Sequence, residues 1–226
     1  MPGVFVSLVG ITSSAAPLFV LAIGLLGVLL GMLSERLIAK TLPRLGGLPG
    51  MRTRITTAVL TGVLCAALAV RFGMDWSLPA FLVLGVLAVQ LARIDFAHHL
   101  LPNPLVLALL SAGLGLFVLS SAATAGWAEL LRAAAGAAIL FVVYLILAII
   151  SPSGIGMGDV KLAAPVGLYL GYLGWSQLFY GGALGFVVGG IFSVVLISFR
   201  RPEKPAEVAF GPSMLAAALG LVLFTS

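Results

Sequence analysis

The sequence predicts an all-α fold, a polytopic membrane bundle of about eight transmembrane helices, from three observations. The chain is 62% hydrophobic and only 8% charged, its mean hydropathy is +1.24, and polar or Pro/Gly-rich breaks divide it into runs of span length. A soluble globular domain carries about 25% charged residues, and a helix needs about 20 apolar residues to cross roughly 30 Å of hydrocarbon. Residues 1–226 are expected to form a single membrane-embedded domain.

The first span is placed at Pro17 to Leu33. It lacks a basic stretch ahead of it and is followed by positive charge, so it reads as an uncleaved span and not a secretory signal. The Gly/Pro-rich stretch Leu45 to Gly50 is an irregular loop. Further spans follow at Ile55 to Val70, Leu78 to Ile94, Pro104 to Ser120 and Ala133 to Ile150. The sixth, Val160 to Tyr172, reaches only about 20 Å at about 1.5 Å per residue. It is tilted, re-entrant or longer than these boundaries, and a seven-span chain is the alternative. The seventh, Ser176 to Phe199, carries Gly181, Gly182, Gly185, Gly189 and Gly190, a small-residue series that suits close helix packing better than a ligand loop. The eighth is Val208 to Phe224.

A net charge of +5 and a pI near 9.9 do not indicate a nucleic-acid partner, because the basic residues are dispersed between apolar spans and not gathered on one face. They do fix an orientation. Ten of the twelve Lys and Arg residues fall in or beside the odd-numbered connections, leaving Arg71 and Arg132 on the other side. By the positive-inside rule the odd connections are cytosolic. Trp76, Trp127 and Trp175 all fall in even-numbered connections, as an outer aromatic belt requires. The single cysteine, Cys65, has no partner for a disulfide, and two adjacent histidines with one thiol make no zinc set, so no metal is expected.

Two of the seven acidic residues sit where acid is expensive. Asp95 closes an apolar run, and Asp159 lies within Gly156-Met157-Gly158-Asp159-Val160-Lys161-Leu162. A charge at mid-bilayer costs about 2.5 to 3.5 kcal/mol on insertion scales, which marks such residues as functional candidates. The charge pattern brings both to the same, cytosolic side. Two neighbouring carboxyls can share one proton: one acid polarises a peptide carbonyl while the other, ionised, activates water. His99 lies four residues beyond Asp95, within contact range if the helix continues, before Pro102 and Pro104 interrupt it. Gly156 and Gly158 tolerate unusual backbone angles and close approach by a second helix or an extended substrate. Lys161 balances local charge or meets anionic headgroups. From spacing alone, Asp159 serves equally well as the N-cap of the helix that follows.

The string Ile94-Asp95-Phe96-Ala97-His98-His99-Leu100-Leu101-Pro102-Asn103 resembles the first aspartate motif of bacterial type IV prepilin peptidases. Gly156 to Leu162, continuing to Gly167 and Gly171, is similar to their G-x-G-D-V-K-L motif, and Ala209-Phe210-Gly211-Pro212 resembles the F-G-P segment that opens their last helix. The resemblance implies an intramembrane-type aspartic endopeptidase. It would remove the basic leader from prepilins or pilin-like secretion subunits at the cytosolic face of the bacterial inner membrane. Asp95 and Asp159 take the catalytic roles, with Gly156, Gly158 and Lys161 as motif support. No cofactor is implied for proteolysis, and S-adenosylmethionine only where the new N-terminus is also methylated. The loop from Glu35 to Arg54 holds no cysteine, unlike the cysteine-tetrad domain of larger members, so a short, protease-only form is expected. Ala97 and Asn103 stand where family members often carry acids.

A proton- or cation-coupled transporter is the alternative, since intramembrane acids also serve carriers. It leaves unexplained why both acids lie near one membrane face. Glu35 beside Arg36, and Glu203 and Glu207 around Lys204, read as solvated interfacial residues. Asp75 and Glu129 fall on the opposite side from the candidate pair.

Overall fold

A computed structural model describes residues 3–43, 47–150, 156–185, 187 and 210–225, with side chains from residue 16 onward. Eight helices and no strand are present among the described residues. They are α1 (Gly3–Thr41), α2 (Met51–Phe72), α3 (Leu78–His98), α4 (Asn103–Thr124), α5 (Trp127–Ile150), α6 (Met157–Leu173), α7 (described over 175–185) and α8 (Gly211–Phe224). Five are long and apolar enough to cross a membrane: α1 from Ala16, and α2 to α5. The chain is thus an all-helical, multi-pass membrane protein. Arg44, Arg200, Arg201, Glu203, Lys204, Glu207, Gly189, Gly190 and the distal part of the seventh span lie outside the described residues.

The chain divides into two compact units, Met1–Leu78 and Pro79–Ser226. In the first, α1 and α2 meet along a seam of small residues. A Cβ on Gly27 would stand 2.7 Å from the Cys65 Cβ, and one on Gly31 would stand 3.1 Å from the Ala58 Cα. Such a seam lets two backbones approach where lipid supplies no hydrophobic driving force between helices. Leu18, Leu21, Leu25 and Leu29 are exposed, as a surface solvated by lipid requires.

The helix α1 runs eight residues past the expected end at Leu33, and the extension explains a misread acid. Glu35 is not a solvated interfacial residue: it is 1% exposed. Its Oε2 pairs with Arg54 Nε at 3.6 Å, and the Thr57 hydroxyl donates to its Oε1. A buried carboxylate requires such partners. Arg36, its sequence neighbour, is turned away from it by helix geometry. Asp75 accepts from the Ser77 N–H and hydroxyl, at 2.8 and 2.6 Å, and so fixes the turn into α3.

In the second unit α6 is the central element. At 17 residues it is longer than the thirteen expected, and nearly every side chain from Asp159 to Gly171 is buried. Its closest neighbour is α5. A Cβ on Gly136 would lie 2.5 Å from the Gly167 carbonyl oxygen, and one on Gly171 would lie 2.8 Å from the Arg132 carbonyl oxygen. Arg132 then caps the end of α6, donating from Nε to the Gly171 carbonyl and from Nη2 to the Tyr172 carbonyl, both at 2.7 Å. A cation at a helix C-terminus satisfies orphan carbonyls and the helix dipole together. On the α4 side, Phe117 stacks on Tyr172 with centroids 3.9 Å apart and meets Tyr169 edge-on at 5.2 Å. Gly181, Gly182 and Gly185 of α7 face Leu170, Leu140 and Tyr144, so their expected packing role holds.

Candidate active site

Asp95 occupies the last turn of α3 and is 5% exposed. The helix stops three residues later. The His99 N–H donates to the Asp95 carbonyl at 2.8 Å, while His99 itself adopts a left-handed φ of +49°. This bend ends the helix, and the proximity that the i+4 spacing allows takes the form of that backbone bond. His99 still acts on the Asp95 carboxyl electrostatically. Beyond it, Leu101 turns inward.

Asp159 is 8% exposed and lies in the first turn of α6. The N-cap is Gly156, not Asp159. Asp159 is the third helical residue; its own N–H donates to the Gly156 carbonyl at 3.0 Å, and its carboxyl accepts from the Gly156 N–H. An acid at this position reaching back to the N-cap amide is half of a capping box. Neither Gly156 nor Gly158 takes a positive φ. Their value is space: a Cβ on Gly156 would stand 3.3 Å from Asp159 Oδ2, and one on Gly158 would stand 3.2 Å from the Leu101 Cβ and Cδ1.

The start of α8 completes the site. Pro212 suits the first turn of a helix, where a missing N–H costs nothing. The Gly211 N–H donates to the Asp95 carboxyl, and a helix N-terminus favours an anion there. Any side chain at 211 would collide: its Cβ would be 2.8 Å from Asp95 Oδ2 and 3.2 Å from Leu101 Cδ1. Leu101 therefore lies between the two glycines that border the two acids. The Asp159 carboxyl in turn feels the charge of Asp95. Lys161 neutralises neither acid; it is exposed and donates to Asn103 Oδ1 at 3.0 Å, tying α6 to the start of α4.

Sequence reasoning brought out Asp95, Asp159, Gly156 and Gly158, and the structure gathers them in one unit. It missed Leu101 and Tyr144, and gave the F-G-P segment no task. Tyr144 is fully buried on α5 and interacts electrostatically with Asp159. Its signal was a lone phenol in an otherwise apolar span.

No group of three or more metal-binding side chains exists among the described residues. A cavity of about 980 Å³ lies between α1 and α2, lined by Phe19, Val20, Val28, Val59, Val63 and other apolar residues. Its walls offer no charged side chain to the sulfonium, amino and carboxylate groups of S-adenosylmethionine, so it does not fit that cofactor.

Fold and site together define a class: a multi-pass helical membrane protein that buries two interacting carboxyls within one unit. Residues 81–194 match the type IV leader peptidase family, and the chain belongs to that family. Its relatives include the prepilin leader peptidase/N-methyltransferases of Stutzerimonas stutzeri and Pseudomonas aeruginosa. The first is 35% identical over 162 residues, covering 69% of this chain and 53% of the relative. The second is 34% identical over 171 residues, covering 72% and 54%. The corresponding Bacillus subtilis protein is 29% identical over 166 residues, covering 74% and 64%. The chain spans about half the length of the first two. These relatives lend no support to the transporter alternative. No solved structure matches the chain.

Proposed function

We propose that this protein is an aspartic endopeptidase that cleaves the basic leader from type IV prepilins or pilin-like secretion subunits, with Asp95 and Asp159 as its catalytic pair. The observation that carries the reading is the convergence of two buried carboxyls from separate helices, each served by a glycine backbone N–H. Like charges at close range do not both ionise, so the pair holds one proton between them. The protonated acid donates a hydrogen bond to the scissile carbonyl. The ionised one takes a proton from a water molecule, whose oxygen attacks the carbonyl carbon. Collapse of the tetrahedral diol breaks the C–N bond, and the departing amine takes up a proton from the pair. Gly211 and Gly156 orient the two carboxyls and admit the peptide backbone where a side chain would block it.

The distribution of basic residues supports a cytosolic active site in the inner membrane, ahead of the substrate's hydrophobic helix. The proposal covers proteolysis by residues 1–226 as one membrane-embedded domain, with prepilin and the lipid bilayer as partners. Methyl transfer is not part of it. The test is cleavage of candidate prepilins by the detergent-solubilised protein, beside Asp95→Asn and Asp159→Asn. Wild type is expected to release the leader, and both variants to insert and stay uncleaving. Wild-type cleavage by either variant rejects the assignment. With S-adenosylmethionine added, the product mass is expected to show hydrolysis alone; a further methyl mass would reject the protease-only form.

A further inference from the structure

Among the buried polar groups of the second unit that the cleavage chemistry leaves unused is Tyr144. Tyr144 projects from the last third of α5 with no exposed surface. Three other elements close around it. A Cβ on Gly185 of α7 would stand 3.1 Å from the phenol oxygen and 3.6 Å from Met214 Cγ of α8, so the absence of a side chain at 185 makes room for the hydroxyl. The Tyr144 ring lies 6.2 Å from that of Phe210, at 57°. Phe210 is the N-cap of α8 and immediately precedes Gly211, the donor to Asp95. On its α6 side the same phenol interacts electrostatically with Asp159. One side chain thus packs near the ring of the residue preceding Gly211 and lies in the field of the second acid. Phenylalanine would fill nearly the same volume without the hydroxyl. That hydroxyl lies within the electrostatic reach of Asp159.

We propose that Tyr144 is a positioning residue for the carboxyl pair: its ring buttresses Phe210, and through it Gly211, against Asp95, while its hydroxyl sets the surroundings of Asp159. This rests on the peptidase reading. Its role is distinct from theirs because it acts through other groups and touches no substrate atom.

The test compares purified wild type with Tyr144→Phe, Tyr144→Leu and Gly185→Ala in prepilin cleavage. Tyr144→Phe retains the ring and is expected to lower kcat about tenfold with KM within about twofold, the pattern of a lost transition-state contribution. Tyr144→Leu loses the buttress as well and is expected to fall about a hundredfold. Gly185→Ala crowds the hydroxyl without altering the phenol and is expected to fall between wild type and Tyr144→Leu. Wild-type kcat in Tyr144→Phe, or a change confined to KM, overturns the proposal. A second measurement keeps it separate from the peptidase reading: carbon-13 NMR titration of the aspartate carboxyls without substrate. Tyr144→Phe is expected to displace the Asp159 titration midpoint, and an unchanged midpoint overturns the proposal even if no prepilin is cleaved. Failure of the wild type to cleave, with a displaced midpoint, instead rejects the peptidase reading alone.

Discussion

In the first unit, Glu35 is buried together with its cation: Arg54 Nε stands 3.6 Å from Oε2, and the Thr57 hydroxyl donates to Oε1. In the second unit, Asp95 and Asp159 are nearly as buried, yet among the described residues neither forms an ion pair with Lys or Arg. They are held by backbone amides and bordered by glycines. The contrast separates two uses of a carboxylate in an apolar setting. An acid paired with a guanidinium locks a helix pair; an acid held by amides beside a second acid remains able to exchange a proton. A backbone comparison runs in parallel. Among the described residues, positive φ in the first unit falls on Gly47 and Gly73, whereas in the second it falls on His99 and Ala125, which have a Cβ.

The largest expected effect comes from neutralising the unpaired acids. Asp95→Asn or Asp159→Asn is expected to reduce leader cleavage about 10⁴-fold, about 5.5 kcal/mol in the barrier. Thermal unfolding in detergent is expected to stay at or above the wild-type temperature, because no cation is orphaned. A fall in stability comparable with that of an Arg54 variant would break the comparison, since it would make these acids structural. In the first unit the pattern inverts. Arg54→Ala leaves Glu35 buried without its cation and is expected to cost about 3 to 5 kcal/mol of stability, while Arg54→Ala with Glu35→Gln recovers most of it. Denaturant unfolding of the three proteins checks this, and a double variant no better than Arg54→Ala would count against the pairing.

Gly211→Ala sharpens the contrast at lower cost. The added methyl would stand 2.8 Å from Asp95 Oδ2 and 3.2 Å from Leu101 Cδ1, so the carboxyl or the leucine must move. Cleavage is expected to fall about 10- to 100-fold, since misplacement by about 1 Å is enough to cost that much. Asn103→Ala, which removes only the exposed bond to Lys161, is expected to leave cleavage within about twofold. Equal losses in the two variants would show that the site does not depend on the geometry around Asp95.

Much of this site was legible because its cost is written in the sequence. Asp95 and Asp159 stand out against hydrocarbon, and the glycines before Asp159 mark a close approach without any knowledge of what approaches. What approaches is Leu101, an ordinary apolar residue whose placement depends on the bend at His99, and no periodicity reports a left-handed residue that is not glycine. Glu35 was misread for a related reason. Its sequence neighbour is Arg36, but helix geometry gives it Arg54 and Thr57 from α2, a pairing set by the α1–α2 seam. Span existence was legible from hydropathy, while the length of α6 was not. Its ends are fixed by Gly156 and by Arg132 from another helix, neither of which changes the apolar run between them.

The smallest expected effect concerns the backbone contrast. A left-handed conformation costs a residue with a Cβ about 1 to 2 kcal/mol, and glycine removes that strain while raising the entropy of the unfolded chain by about 0.4 to 1 kcal/mol. His99→Gly and Ala125→Gly are therefore each expected to stabilise the protein by roughly 0.5 kcal/mol on these figures. Activity separates the two stabilised variants. Ala125 ends α4 by donating no more than a cap bond, and its replacement is expected to leave cleavage unchanged. His99 sets the bend that delivers Leu101 and acts on Asp95, so His99→Gly is expected to slow cleavage several-fold while raising the unfolding temperature. A His99→Gly variant that is both more stable and fully active would make its strain incidental, as at Ala125.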